Sequence, residues 1–241
     1  THSTYTETYK RTDGVVIPSI QTGTAGKNVG VVTLAIDPNT KNITSGSSFN
    51  KQMSKSVEKD PVVNKMVEDV VTETAPVFKR VLCKAGENFG QYEGARWAVN
   101  SLKDYMNTDV AFINSGGIRN SAFPIYTGED VTVSKVYEIM PFDNTIKTVE
   151  LQGKYIKSLM NSSGIVYSNN ITGDQISGFY INGELIEDDK FYKVAAVDYI
   201  FDQSSYPFGL GKNSVATGIL FRDILIKALE DINNNGQTWL R

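Results

Sequence analysis

At 241 residues, 40% hydrophobic and 21% charged, the chain has the composition of an ordinary globular protein able to bury one large core, or one medium domain plus part of another, so disorder is not the default. Its formal net charge of −3, from 24 Lys and Arg against 27 Asp and Glu, comes with no basic block or aromatic-basic stripe, which argues against a nucleic-acid polymer as partner. A single cysteine, Cys83, excludes an intrachain disulfide and reads as a small buried hydrophobe, and no apolar run approaches the roughly 18 residues of a membrane span.

The chain opens at "THSTYTETYK" with neither a methionine nor a signal peptide, so we expect an upstream part. Residues 14–36 carry two β-branched runs around "TGTAGKN", which predicts a hairpin. "DPNTKN" reads as a turn, and the polar "ITSGSSFNKQMSKSVEKD" as connecting chain. Asp60 can cap a helix with Pro61 at its first position, Val63, Met66, Val67 and Val70 repeat at helical spacing, and Pro76 should end or kink it. That helix fits a hinge between two bodies or a plain surface helix.

Ala95, Val99, Leu102 and Met106 share one helical face, predicting an amphipathic helix over residues 88–106 that leads into the strand "DVAFI". A short helix "VSKVYEIM", a strand "TIKTVEL", a helix "GKYIKSLMNS" and strands "ISGFYI" and "FYKVAAVDYI" follow. Phe221, Ile224, Leu225, Ala228, Leu229 and Ile232 mark a closing helix. Helices and strands alternate without a strict βαβ beat, so the expected class is α+β (mixed α/β), a mixed sheet packed with helices.

Three stretches carry candidate chemistry. In "NSGGIR", Gly116 and Gly117 permit positive φ or close approach of a flat ligand, and Arg119 offers a planar five-donor fork; a glycine-rich turn with a solvated arginine is the bland alternative. "MPFDNT" combines Phe142, suited to stacking a heterocycle, with Asn144, suited to its edge; taken without context, a buried phenylalanine and a turn asparagine is the preferred reading. "AAVDYIFDQSSYPFG" clusters Tyr199, Phe201, Tyr206 and Phe208, of which at least two should be core. With His2 the single histidine and no Walker loop or G-x-S-x-G, a complete hydrolytic site is not expected.

Taken in order, "DVAFINSGGIR", "YTGEDVTVSKVYEIMPFDNTIKTVELQGKYIKSLM" and "KVAAVDYI" resemble the C-terminal domain of the 5'-nucleotidase family of secreted or cell-surface metallophosphoesterases, over about residues 86–235. The resemblance implies a substrate-binding domain that swings on a linker helix toward an N-terminal domain holding two divalent metal ions. It implies residues 1–45 as closing strands of that metal domain, a remnant hairpin, with 46–82 as linker and 83–241 as the substrate domain. His2 resembles the last histidine of the family's G-H-x-H metal motif. Asn114 and Asn144 resemble residues that touch the base, Gly116 and Gly117 the backbone beside the nucleoside, and Arg119 the arginine on the phosphate or ribose side. Phe142 and Tyr199 resemble the two walls of the base slot. The family's G-G-D-G after the second wall is absent; Asp202 could replace its carboxylate, and Lys84 stands where the family has an arginine.

The expectation is therefore recognition of a nucleoside or nucleoside monophosphate for a metal-dependent phosphohydrolase, outside the cell or in the periplasm. This chain alone should be inactive and need no cofactor of its own. A stand-alone nucleoside-binding module, or a structural domain that has lost the pocket, remain the alternatives.

Overall fold

The computed structural model describes residues 3–240, which divide into two compact units, one through Asp69 and one from Val70. The first unit holds two antiparallel hairpins, β1 (Thr4–Lys10) with β2 (Val16–Thr22) and β3 (Asn28–Ile36) with β4 (Ile43–Gln52). The expected 14–36 hairpin is corrected: both runs are strands, but they pair with different neighbours. The alternating "TYTETY" supplies the partner of β2. The Asp37 carboxylate accepts from the amides of Asn39 and Thr40, both at 2.8 Å, and turns β3 directly onto β4. The start of the polar stretch read as connecting chain is thus strand. Its half-buried face includes Asn50, whose amide donates to the carbonyls of Tyr5 (3.2 Å) and Gln21 (3.1 Å) and ties the hairpins together.

Helix α1 (Pro61–Phe78) starts as the sequence predicts, because Asp60 Oδ1 accepts from the amides of Val62 (2.9 Å) and Val63 (3.0 Å). Pro76 sits in its last turn. None of its residues is buried, so the apolar repeat faces outward, and the division between units falls inside the helix.

The second unit contains β5 (Val81–Lys84), α2 (Gln91–Met106), β6 (Val110–Asn114), β7 (Asp130–Thr132), α3 (Val133–Ile139), β8 (Thr145–Gln152) and α4 (Gly153–Met160). Then come β9 (Ile165–Tyr167), β10 (Ile171–Asp174), β11 (Gly178–Ile181), β12 (Glu184–Leu185), β13 (Phe191–Val197), α5 (Asp198–Phe201), β14 (Lys212–Leu220) and α6 (Phe221–Asn234). Its main sheet is five-stranded and mixed, in the order β14-β8-β13-β6-β9, with β13 parallel to β6 and the other neighbours antiparallel. The class is the mixed α/β one expected. The residues "DYI", read as strand, form the helical turn α5 instead, since β13 stops pairing at Val197.

β6 and β13 are central, so Val110, Ala111, Phe112 and Ile113 and then Val194, Ala195, Ala196 and Val197 are all buried. α2 buries Ala95, Ala98, Val99 and Leu102, and α6 buries Phe221, Ile224, Leu225 and Leu229. Cys83 is buried among them as expected, and desolvation pushes its thiol up to about 11 against a smaller opposing hydrogen bond from the Trp239 backbone. At the β8–α4 junction a Cβ on Gly153 would lie 2.2 Å from the Glu187 carbonyl oxygen. We therefore expect Gly153→Ala to destabilise by more than about 2 kcal/mol in urea unfolding, overriding alanine's helix preference of about 1 kcal/mol; a neutral substitution would contradict the close approach.

Candidate functional site

Strand direction gathers the site. Parallel β6 and β13 end at the same edge of the sheet, and antiparallel β8 begins there, with Val197 opposite Ile146 and Ala196 opposite both Phe112 and Lys147. Asn114 closes β6, Asp198 and Tyr199 follow β13, and Asn144 immediately precedes β8. The carboxyl ends of parallel strands are where open α/β sheets tend to bind ligands.

Beyond β6 the chain makes a single 3-10 turn, Ser115–Gly117. Neither glycine has positive φ, so of the two reasons read from the sequence the conformational one is corrected, and the close-approach one applies at Gly117 alone. A Cβ on Gly117 would stand 3.1 Å from Asn114 Oδ1, whereas at Gly116 the nearest atom would be Asn114 Nδ2 at 3.8 Å. The Ser115 amide donates to the Gly164 carbonyl at 2.8 Å on one side of the turn, and on the other Gln91, first in α2, donates to the Ile118 carbonyl at 2.6 Å and the Arg119 amide to the Ile139 carbonyl at 2.8 Å, so both sides are anchored. The Arg119 guanidinium then lies 4.6 Å from the centre of the Phe142 ring, a cation–π contact.

Asn144 is fixed from behind. Its Nδ2 donates to Asp198 Oδ1 at 2.7 Å, while the amide (3.0 Å) and hydroxyl (2.7 Å) of Thr145 donate to Asp198 Oδ2. A carboxylate only accepts, so this contact settles which end of the Asn144 amide faces Asp198. Burial pushes the Asp198 carboxyl upward, but the hydrogen bonds from Asn144, Thr145 and the Tyr199 backbone together outweigh it and hold the group below its ordinary value of 3.8. A depressed folded value means stability that is present above the unfolded value and lost as pH falls through the folded one. The melting-temperature gap between wild type and Asp198→Asn should accordingly be constant above about pH 5 and close below about pH 4. A gap independent of pH down to unfolding would contradict this anchor.

Asn114, Gly116, Arg119, Phe142, Asp143, Asn144 and Tyr199 line one cavity of about 480 Å3, a size suited to a small-molecule ligand. Six of the sequence candidates thus meet, with Gly117 buried beside Asn114. Two do not join them. Asp202 pairs with Lys147 through both oxygens, at 2.6 and 2.8 Å, and lines a separate hollow with Ser204 and Tyr206; Lys84 pairs with Asp130 across β5 and β7 at 2.5 Å. His2 lies outside the described residues. Sequence reasoning missed Asp143 and Asp198, and also Arg222, which holds Asp143. Their only signals were charges inside or beside apolar runs.

Two accessible rings, two amides and a guanidinium can bind and orient a flat heterocycle with a polar substituent. Among the described residues no three His, Cys, Asp or Glu converge in a group that could hold a metal ion. No helix among them is long and apolar enough to cross a membrane.

Comparison with known proteins places this architecture. The family model "5'-nucleotidase, C-terminal domain" matches residues 70–207. Endonuclease YhcR of Bacillus subtilis is 26% identical over 215 residues, covering 79% of this chain and 17% of that protein. NAD 5'-nucleotidase of Haemophilus influenzae is 26% identical over 109 residues, covering 44% of this chain and again 17% of the relative, so the chain spans under a fifth of the length of either. The crystal structure of a putative 5'-nucleotidase from Staphylococcus aureus superposes with a TM-score of 0.67 at 15% identity, over 95% of this chain and 52% of that one, and so shares the fold. The match over residues 70–207 takes in more than half of the chain and every residue lining the cavity, and on that ground the chain belongs to the 5'-nucleotidase C-terminal domain family.

Proposed function

We propose that this chain recognises the nucleoside part of a nucleotide for a 5'-nucleotidase-type phosphohydrolase whose hydrolytic centre, with two divalent metal ions, lies on a domain outside it. The cavity carries the reading. Phe142 and Tyr199 would take the base between them, Asn114 and Asn144 its edge, and Arg119 the ribose or phosphate side, with Gly116 and Gly117 leaving room for the nucleoside. Stacking of a base on an aromatic side chain is worth about 1–3 kcal/mol. Asp202 and Lys84 have no place in this arrangement, because each is engaged elsewhere.

The names of the curated relatives include both a nucleotidase and an endonuclease. The cavity's volume fits one nucleoside better than a polymer. In the first unit Val29, Leu34, Ile36 and Phe49 are exposed, which suits strands that close the metal domain, and α1 would then be the linker. The location that goes with this reading is extracellular, cell-surface or periplasmic.

Calorimetric titration of the chain with adenosine, AMP and inorganic phosphate tests the proposal. Binding of adenosine and AMP without added metal, and no phosphate release from AMP, is the expected result. A folded chain that binds no member of a nucleoside panel would refute it.

A further inference from the structure

The pocket wall that carries Phe142 is held by a residue in a different part of the chain. Arg222 stands in the first turn of α6 with its side chain almost wholly buried, which is the wrong place for a cation on two counts. Burial disfavours the charge, and so does the positive end of a helix.

All its partners lie on one short segment. Nη1 donates to the carbonyls of Met140 (3.4 Å) and Phe142 (3.3 Å), and Nη2 to Asp143 Oδ1 at 2.5 Å. The guanidinium also sits 3.9 Å from the centre of the Tyr137 ring. Its buried Nε has no partner among the described residues, so the arrangement does not maximise the hydrogen bonding of the arginine. Only the arginine end of the pair is buried, while the Asp143 side chain stays exposed, so the attraction is weakened by solvent and does not by itself account for placing a cation here. What the contacts do is fix the backbone on both sides of Pro141 and the carboxylate that follows Phe142.

We propose that Arg222 is a positioning residue for the candidate nucleoside site. By clamping Met140, Phe142 and Asp143 from below, it sets the angle at which the Phe142 ring faces the cavity and meets Arg119. Its effect on a ligand rests on the nucleoside reading; its effect on the ring rests on geometry alone.

The test uses protein labelled with 4-fluorophenylalanine, whose 11 phenylalanine positions give 19F signals, with that of position 142 assigned by its loss in Phe142→Leu. Lysine at 222 keeps the charge but, as a single compact ammonium, cannot replace the planar fork. In Arg222→Lys the position-142 signal should shift and broaden without ligand while the other signals hold, and adenosine affinity should fall about tenfold through lost pre-organisation. Asp143→Asn, a change at an exposed side chain, should move the same signal in a folded protein, and it decides the matter if Arg222→Lys does not fold. An unmoved 142 signal in the folded variants, or equal disturbance of all the phenylalanines, would overturn the proposal. A selective shift in a protein that binds no nucleoside supports the positioning and refutes the nucleoside reading.

Discussion

Alanine in place of Phe142 is expected to weaken adenosine binding by about 1–3 kcal/mol, roughly 5- to 150-fold, with Tyr199→Ala producing a loss of the same order. Both rings are accessible, Phe142 being 37% and Tyr199 59% exposed, so neither substitution should lower stability by the amount a core aromatic does. A structural domain that had lost its pocket would behave the other way. There Phe142→Ala would cost about 3–5 kcal/mol of stability and leave any ligand response unchanged. Calorimetry and thermal melts on the same samples separate the two patterns. Phe142 also faces the Arg119 guanidinium, so the alanine variant frees that charge and should make binding of phosphate-bearing ligands more salt-dependent.

The second large effect concerns the rings of the "IFDQSSYPFG" stretch that are not exposed. Phe208 is 1% exposed, stacks on Phe201 with centroids 5.1 Å apart and planes 14° from parallel, and meets Phe112 of β6 edge-on at 6.4 Å. Phe208→Ala should cost about 3–5 kcal/mol in urea unfolding, from lost burial and the cavity left behind. Because Phe112 lies in the strand that delivers Asn114, adenosine binding should weaken as well. A cost below about 1 kcal/mol would mean that the segment collapses onto the gap and is not a fixed support.

These two residues illustrate what a linear sequence discloses. Local periodicity was enough for α2, α6 and the apolar strands β6 and β13, because their burial is dictated by spacing of 3.6 or by unbroken runs of small and β-branched residues. The order of "NSGGIR", "PFDN" and "VDYI" was enough to nominate six residues that meet in one cavity. Pairing partners were not legible. β1 and β4 are polar strands whose alternation involves Thr, Ser and Asn, so the first apolar runs were assigned to each other rather than to them. The glycine pair was nominated for freedom in φ and for close approach; neither residue uses the first, and the neighbour that comes close to Gly117 is the Asn114 side chain, which the sequence did not name.

Charged residues were the hardest to place. Asp202 sits close in sequence to Tyr199 but turns to Lys147 of β8, whereas Asp198, between β13 and Tyr199, holds Asn144. Arg222 was passed over in the reading of α6, and its hydrogen-bond partners lie some 80 positions upstream, at separations of 82, 80 and 79 residues. Such ion pairs depend on tertiary register, which no spacing rule encodes.

The most direct test of the nucleoside site is a 1H–15N NMR titration of the chain with adenosine, following backbone amides and the side-chain amides of Asn114 and Asn144. The account predicts saturable shifts concentrated at residues 114–119, 142–145 and 198–199. Shifts centred instead on the hollow around Ser204 and Tyr206, or no shifts at saturating adenosine in a folded protein, would contradict it.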